Sequence, residues 1–281
     1  MITPQTAVVD VTAVAAHYDD LDEFYRGIWG SNLHHGYWIS GKETTEEAVN
    51  NLVHLVARLA SLATGDRVCD IGCGYGATAL MLNRVYGATV TGLTVSPKQH
   101  RRAEAAAAGN LKVSFLLRDA VENRLNADSY DAVIAIESSE HIADKPRIFA
   151  EAQRILRQEG HCVIAAWLTC ERPNRWQTRY LLEPICAEGR LPSMASVVEY
   201  RNMIENAGFR NIEFRDLTRD VKKTWTVCAA RVITRLLADP AFRRRLLDRE
   251  FTNRVFAKTI FRIRLAYEIG AMRYGIFSAQ K

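Results

Sequence analysis

The residues best placed to bind a ligand lie in a glycine-rich run at 70–76, which reads D-I-G-C-G-Y-G. It follows a short apolar stretch at 67–71 and precedes a helical pattern, and open α/β sheets bind ligands at such junctions. Gly72 and Gly74 allow close backbone approach and turns that a side chain would block. The acid before them is not part of the G-x-G-x-x-G pattern of dinucleotide sites. A carboxylate at this place suits a ligand with an ammonium or sulfonium group rather than one with a pyrophosphate.

A second polar group, E-S-S-E-H at 137–141, follows the nearly continuous apolar run at 130–136. Such a run is typical of a strand covered on both faces, so Glu137, Glu140 and His141 should emerge at the same sheet edge as the glycine run. A histidine beside carboxylates can remove a proton from a reacting group. Glu140 and His141 could also simply cap the next helix, and the pattern leaves both interpretations open.

Strand and helix patterns alternate through most of the chain, which predicts an α/β, doubly wound, mainly parallel sheet. We expect strands at 67–71, 89–95, 113–117, 130–136, 162–168, 209–217 and 272–279. We predict a single domain over 1–281. Within it we expect an N-terminal lid at 17–43, a ligand-binding core at 64–169, helical insertions at 170–195 and 218–271, and a last strand at 272–281.

The glycine run resembles motif I of the class I S-adenosylmethionine-dependent methyltransferases. This resemblance implies a seven-stranded Rossmann-like sheet, S-adenosyl-L-methionine as cofactor, and methyl transfer by in-line displacement. It implies a cofactor-binding role for five residues of the run: Asp70, Gly72, Cys73, Gly74 and Gly76. After the third strand, where that class places an acid, the Asp119 carboxylate and the Ala120 backbone N–H would bind adenine.

One position departs from the general pattern of that class. The second strand ends in Thr94, where most members carry an acid for the ribose. A narrower group shares G-[IL]-T-[LV]-S-x-x-Q, which residues 92–99 match. This group includes γ-tocopherol and sterol methyltransferases, coclaurine N-methyltransferase and cyclopropane fatty-acid synthases. By this resemblance Thr94 and Gln99 take over ribose and neighbouring contacts.

The resemblance to tocopherol-type enzymes also covers H-Y-D at 17–19, I-W-G-S-N-L-H-H-G at 28–36, E-S-S-E-H-I-A-D-K at 137–145 and the C-terminal end. It implies that Tyr18 closes over the cofactor. His34 and His35 could face the acceptor, or could be histidines packed in the core among the aromatic residues. The resemblance further implies His141 as general base with Glu140 orienting or charging it. Glu137 would lie near the methionine end of the cofactor.

Aromatic residues are expected around the acceptor. Trp167, Trp176 and Trp225 suggest an apolar pocket with few polar anchors, although such residues could equally be core. The acceptor would be a small, largely apolar molecule: a prenylated phenol, sterol, alkaloid or prenyl diphosphate, with carbon, nitrogen or oxygen methylated. Alternatives are a cyclopropane-type lipid methylase, or a protein of this fold that binds the cofactor without methyl transfer, such as a cyclase.

The composition and charge of the chain limit which compartment, metal, membrane and nucleic-acid partners we expect. The six cysteines include no C-x-x-C pair, so we expect a reduced, cytoplasmic protein without a metal site. No apolar stretch is long enough to span a membrane. Nucleic acid is not expected, because residues 137–140 replace the N/D-P-P-Y/F element of amino-methylating nucleic-acid enzymes. Residues 219–281 carry a net charge of +10, and Arg243–Arg245 could attract an anionic membrane or a diphosphate, or could be a solvated helix face.

Overall fold

The computed structural model describes residues 1–4, 9–22, 27–29, 32–247 and 256–281, without the side chains of residues 241, 245–247, 256 and 257. A seven-stranded sheet with the strand order β3-β2-β1-β4-β5-β7-β6 forms its centre. The strands are β1 (Arg67–Ile71), β2 (Thr89–Thr94), β3 (Val113–Leu117), β4 (Tyr130–Ile136), β5 (Leu156–Thr169), β6 (Arg210–Asp216) and β7 (Met272–Gln280). Strands β1 to β5 pair in parallel, and β7 is antiparallel to both neighbours. The doubly wound, mainly parallel sheet is thereby confirmed.

Helices cover both faces of this sheet. They are α1 (Val11–Asp20), α2 (Thr45–Leu59), α3 (Ala77–Tyr86), α4 (Pro97–Ala106), α5 (Lys145–Ile155), α6 (Arg175–Gln177), α7 (Glu183–Glu188), α8 (Val197–Asn206), α9 (Thr218–Val221), α10 (Lys223–Ala238), α11 (Pro240–Leu247) and α12 (Phe256–Glu268). Short 3₁₀ helices lie at Ala120–Glu122 and Ser139–His141, and a π-helical turn lies at Thr178–Leu182. Thr44 starts α2 with a full capping box to Glu47, as a T-x-x-E pattern predicts.

The core consists of two apolar clusters, one on each face of the sheet. Strand β4 contributes to both, because successive side chains of a strand point to opposite faces. Ala132 and Ile134 belong to one cluster, and Val133 and Ala135 to the other. Burial on both faces explains why this strand reads as a continuous apolar run.

Strand β5 differs from its predicted bounds. It begins at Leu156, six residues before the expected start at 162. Its pairing with β4 shifts register between Tyr130 and Ala132, next to the polar residues 157–159. Polar residues at an irregular strand end carry no alternating pattern, so the sequence could not reveal this extension.

The expected lid and insertions are described in part. Residues 23–26, 30 and 31 of the lid and residues 248–255 of the second insertion lie outside the described residues. The first insertion holds α6, the π-helical turn and α7, and the second holds α9 to α12. They pack on each other through α12, which contacts α7, the π-helical turn and α10. Within the described parts of the chain, no helix is long and apolar enough to cross a bilayer.

Candidate active site

A cavity of about 380 Å³ opens at the carboxyl ends of β1, β2 and β4, and we call it the large cavity. Its walls are the glycine loop, the end of β2, the turn after β3 and the residues after β4. Helix α1 covers it with Val11, Val14 and Tyr18. This is the position at which doubly wound sheets bind ligands, and the volume lies within the roughly 300–1,000 Å³ of small-molecule sites.

Asp70 is a buried acid at the end of β1, facing the large cavity. Burial raises the pKa of its carboxyl to about 7. Among the described residues, its Oδ2 atom has no hydrogen-bond partner. A buried carboxylate oxygen without a donor is costly in the folded protein, and a ligand with N–H groups would satisfy it.

The three glycines of the loop have different environments. A Cβ atom at Gly72 would lie 2.3 Å from the Cβ of Ser138, so this glycine lets β1 and β4 end side by side. At Gly76 a Cβ would lie 2.4 Å from the Phe115 ring. A Cβ atom at Gly74 would meet no atom within 4 Å. The φ of Gly74, +55°, is therefore what favours glycine at this position.

Two further polar sites line the large cavity, at the carboxyl ends of β2 and β3. The Thr94 hydroxyl donates to Oε1 of Gln99 at 2.8 Å, and both residues are buried. Asp119 accepts from the Val121 backbone N–H at 3.0 Å and thereby caps the 3₁₀ helix after β3. Asp119 therefore has the capping role, and its side chain also lines the large cavity next to Ala120.

Two aspartates fasten the end of α1 to the sheet domain. Asp19 accepts from the Ser96 hydroxyl at 2.5 Å and from the Lys98 backbone N–H at 3.2 Å, at the N-terminus of α4. Asp22 forms a bidentate ion pair with Arg102 and accepts from the hydroxyl of Tyr75, in the glycine loop, at 2.9 Å. The roof over the large cavity is thus held by charged and hydrogen-bonded contacts.

A smaller cavity of about 40 Å³ adjoins the large one, and we call it the inner cavity. Four residues line both cavities: Tyr18, Leu33, Glu137 and His141. The Tyr18 hydroxyl lies 2.8 Å from Nε2 of His141, and Nδ1 of that ring lies 3.3 Å from the Arg190 carbonyl. Because a carbonyl only accepts, Nδ1 carries the proton, and Nε2 accepts from Tyr18. Burial lowers the pKa of His141 to about 4, so its ring is neutral at physiological pH.

Glu137 is a buried carboxylate with four donors. Its Oε1 atom accepts from the His35 backbone N–H and the Tyr274 hydroxyl, and Oε2 accepts from His35 Nδ1 and the Trp167 indole, all at 2.7–2.9 Å. Burial alone would raise the pKa of Glu137, but His35, which donates two of these hydrogen bonds, outweighs burial and lowers the pKa. Its φ of +53° places it in the left-handed region, which turns the side chain away from the strand direction.

Glu140 is also buried but has a different partner. Its Oε1 atom accepts from the Trp167 backbone N–H at 2.5 Å. Burial, with Glu137 adding to it, raises the pKa of Glu140 to about 7. The inner cavity thus combines the Glu137 anion, the Glu140 acid, which titrates near neutral pH, and the neutral ring of His141.

The chain matches the family model of mycolic acid cyclopropane synthetase over residues 5–253. This chain belongs to that family. It is 32% identical over 218 residues to 27-O-demethylrifamycin SV methyltransferase of Amycolatopsis mediterranei (strain S699), covering 76% of this chain and 79% of that protein. It is 27% identical over 244 residues to the chloroplastic tocopherol O-methyltransferase of Arabidopsis thaliana, covering 79% of this chain and 69% of that protein. The protein is an S-adenosylmethionine-dependent methyltransferase of small molecules.

Solved structures show the same fold. Mycolic acid cyclopropane synthase CmaA1, complexed with S-adenosylhomocysteine and CTAB, superposes with a TM-score of 0.85 at 21% identity, covering 99% of each chain. The [4+2]-cyclase SpnF superposes with a TM-score of 0.82 at 22% identity, covering 100% of this chain and 99% of that chain. These likenesses extend over the whole methyltransferase chain, helical insertions included.

The residues of the large cavity fit S-adenosylmethionine. The unpartnered oxygen of Asp70 suits the ammonium of its methionine part, and the open space at Gly74 leaves room for close backbone approach. All but one of the expected cofactor residues line the large cavity: Tyr18, Asp70, Gly72, Cys73, Gly74, Thr94, Gln99, Asp119, Ala120 and Glu137. The exception is Gly76, which packs on Phe115 in this methyltransferase.

On the acceptor side, the hydrogen-bond partners of the expected catalytic residues differ from those predicted. The His141 ring is oriented by Arg190 and Tyr18, whereas Glu140 holds the backbone of Trp167, so a direct orienting bond from Glu140 is not the arrangement found. His35 uses both ring nitrogens, donating to Glu137 and accepting from Trp225 at 2.5 Å.

The other three expected acceptor residues lie in three different places. His34 lines the large cavity rather than the inner one, burial lowers its pKa, and its Nε2 atom has no partner among the described residues. Trp167 lines the inner cavity as expected. Trp176 is 50% exposed, packs beside Tyr180 and lines neither cavity, so the structure does not bring it together with the other expected acceptor residues.

The sequence did not reveal the partners that fix these side chains. Tyr274 reaches Glu137 because β7 pairs with β5, which places Tyr274 opposite Trp167. Strand register of this kind cannot be read from a single sequence. The Arg190 carbonyl was also missed, since a backbone acceptor leaves no residue-type signal.

Proposed function

We propose that this methyltransferase methylates a hydroxyl group of a neutral, largely apolar small molecule. The observation that carries the proposal is the Tyr18–His141 hydrogen bond at the junction of the two cavities. When bound, S-adenosylmethionine supplies a methyl group on a positively charged sulphur. The chain must then hold an acceptor oxygen in line with that methyl group and take up its proton.

The neutral His141 ring can take up this proton through Tyr18. The Tyr18 phenol donates to Nε2 of His141, so it can pass its own proton to the ring while it accepts the proton of the acceptor hydroxyl. Burial is the main cause that raises the pKa of Tyr18, so a free tyrosinate is disfavoured and the two transfers should be concerted. The Arg190 carbonyl stabilises the resulting imidazolium by keeping its Nδ1 hydrogen bond.

The lining of the inner cavity supports a neutral acceptor. Trp29, Trp167 and Trp225 provide apolar walls, and none of the described residues lining this cavity is lysine or arginine. Glu137 adds a fixed negative charge. A prenyl diphosphate or another anion would be repelled, which favours phenols, sterols and hydroxylated macrocycles over the anionic acceptors considered above. The names of the curated relatives, which include several O-methyltransferases, agree with oxygen as the methylated atom.

An acceptor panel tests this proposal. The protein is incubated with S-adenosylmethionine and matched acceptors, such as a prenylated phenol and its phosphate ester, and S-adenosylhomocysteine formation is measured. We expect turnover of the neutral phenol, at least tenfold less with the phosphate ester, and losses of about 10²–10⁴-fold in kcat for Tyr18→Phe and His141→Asn. His100→Asn, a helix α4 histidine outside both cavities, serves as the control. Full turnover by His141→Asn would refute the base assignment.

The same assay separates the two alternatives kept from the sequence. Product formation without consumption of the cofactor would mean that the chain catalyses a reaction such as cyclisation. Incorporation of a methylene carbon into a lipid double bond would mean a cyclopropane-type reaction.

Because all six cysteines are free in the structure, we propose that the protein works in the reducing cytoplasm.

A specific surface feature supports peripheral contact of the insertions with an anionic membrane. Three segments of the insertions each expose two apolar side chains four residues apart. The pairs are Trp176 and Tyr180, Ile233 and Leu237, and Phe261 and Leu265. They lie on adjoining insertions, of which the second belongs to the strongly basic residues 219–281, and apolar side chains among cations suit an anionic bilayer surface.

Vesicle co-sedimentation tests this contact, with phosphatidylglycerol-containing and pure phosphatidylcholine vesicles. We expect binding to the anionic vesicles alone and its loss in Leu237→Asp and in Arg243→Glu/Arg244→Glu. Arg84→Glu, an exposed arginine of α3, is the matched charge control. Equal binding of all variants would remove the membrane proposal and leave the catalytic one untouched. Arg245, the third residue of the basic run, has its side chain outside the described residues.

A further inference from the structure

Lys145 is the first residue of α5, yet its side chain lies inside the protein, with 1% exposure. Its ammonium donates to the carbonyl oxygens of Glu140 at 3.1 Å and Ile142 at 3.0 Å, and to the Ser193 hydroxyl at 3.0 Å. Three acceptors around one nitrogen match the three donors of an ammonium group. Two of these acceptors belong to the residues on either side of His141.

The third contact of Lys145 reaches the segment that orients the His141 ring. Ser193 lies three residues after Arg190, whose carbonyl accepts from Nδ1 of His141. One ammonium therefore ties together the backbone that carries the histidine and the segment that sets its ring orientation.

Helix stability does not explain a cation at this place. A helix N-terminus carries partial positive charge, so a lysine at the first position of α5 is electrostatically unfavourable. Burial adds a desolvation cost, since it lowers the pKa of Lys145 to about 8. A residue placed against both effects is expected to serve a site.

We propose that Lys145 is a positioning residue for methyl transfer, which holds the backbone on both sides of His141 and keeps the ring in its neutral, proton-accepting form. The inference deepens the proposed role of His141 and rests on it. Besides burial, the Lys145 charge lowers the pKa of His141, whereas the Arg190 carbonyl and Glu137 raise it. The other titratable groups near the ring are Tyr18 on α1 and Glu140 in the same 3₁₀ helix.

Two variants test this role. Lys145→Met removes the charge and all three donors, so we expect kcat to fall by about 10–100-fold and the acid limb of the kcat–pH profile to move up by about one pH unit. Lys145→Arg keeps the charge but cannot place donors at the same points, so we expect a lower kcat with an unmoved acid limb. The Kd for S-adenosylmethionine, measured by calorimetry, should stay within about twofold for both.

A spectroscopic readout is independent of activity. In protein labelled with ¹⁵N-histidine, His141 should show the Nδ1–H tautomer in the wild type and a mixture of tautomers in Lys145→Met. Lys281→Met is the matched control, because Lys281 Nζ also donates to a carbonyl, that of Leu156, at the opposite end of the sheet. We expect this control to lower stability without changing the pH profile or the His141 spectrum.

The outcomes separate this inference from the proposed function. If the Met variant does not fold, the Arg variant decides, through kcat and the His141 spectrum. A folded Lys145 variant with wild-type kcat and spectrum would overturn the positioning role while His141→Asn remains inactive. An active His141→Asn would instead overturn the proposed function itself.

Discussion

The indole Nε1 of Trp225 lies 2.5 Å from Nε2 of His35 and donates a hydrogen bond to it. Because an indole nitrogen can only donate, Nε2 of His35 must accept, and the proton of the neutral ring must be on Nδ1. That proton is donated to Glu137 at 2.9 Å. Trp225, on the second insertion, thus determines that His35 donates from its Nδ1–H group to the Glu137 carboxylate.

Replacing Trp225 with phenylalanine should therefore destabilise the lid. The variant keeps the aromatic wall but leaves a buried His35 nitrogen without its donor, which should lower the free energy of unfolding by about 1–3 kcal/mol. Urea denaturation measures the change. Trp176→Phe, at a half-exposed tryptophan, should change the free energy by less than about 0.5 kcal/mol, and equal effects of both replacements would contradict the argument.

Asp70→Asn should make the ligand-free protein more stable while it abolishes cofactor binding. The pKa of Asp70 rises from 3.8 to about 7 on folding, so the unfolded state loses this proton first as pH rises. The ionised carboxyl therefore disfavours folding increasingly between pH 4 and 7, by up to about 4 kcal/mol above pH 7. Asparagine carries no such penalty.

Urea denaturation at pH 4.5 and pH 8 measures the stability of this variant, and calorimetry measures the cofactor Kd. The stabilisation should be largest at pH 8 and small at pH 4.5. Asp128→Asn, which alters an exposed carboxylate paired with Lys281, should show neither effect. Retained cofactor affinity in Asp70→Asn would remove Asp70 from the site.

The contact between Gly72 and Ser138 predicts a rescue experiment. Gly72→Ala would place a Cβ atom 2.3 Å from the Cβ of Ser138 at a φ of +76°, so we expect a loss of more than about 2 kcal/mol and weaker cofactor binding. Adding Ser138→Gly removes the clash and should restore part of the loss in a double-mutant cycle. Gly74→Ala, whose new Cβ meets no atom within 4 Å, should lower the free energy of unfolding by only about 1 kcal/mol. If the effects of Gly72→Ala and Ser138→Gly were simply additive, residues 72 and 138 would not be in contact.

The acid limb of the pH profile that His141 produces should lie at unusually acidic pH. His141 accepts a proton only when neutral, and burial lowers its pKa to about 4, so the rate should fall as pH drops through that region. An unperturbed histidine would lose activity below about pH 6.5. Single-turnover rates between pH 4 and 8 test this, and a midpoint near 6.5 would contradict a buried base.

Glu140→Gln checks whether a second group shapes this profile. Since the pKa of Glu140 is raised to about 7, the wild-type carboxyl is mostly protonated at pH 6 and ionised at pH 8.5. Glutamine mimics the protonated form, so the two proteins should have similar rates at pH 6 and diverge at pH 8.5.

The fold and the cofactor side of the site were largely predictable. Periodic apolar runs set the strands, and glycine and acidic residues after β1 mark a ligand site that depends on local geometry alone. The acceptor side depends on contacts between distant segments, such as Tyr18 with His141 and Trp225 with His35. These contacts arise from strand register and insertion packing, which leave no pattern in neighbouring residues. For the same reason, the sequence did not show that Trp176 lies apart from both cavities.

The roof formed by α1 also has a consequence for the turnover cycle. Asp19 and Asp22 hold this helix down, and the large cavity lies beneath it. Cofactor that enters or leaves beneath this helix has to displace it, so the two carboxylate contacts should lengthen the time for which fresh and spent cofactor are retained. Added salt should therefore hasten the exit of S-adenosylhomocysteine by weakening the Asp22–Arg102 ion pair.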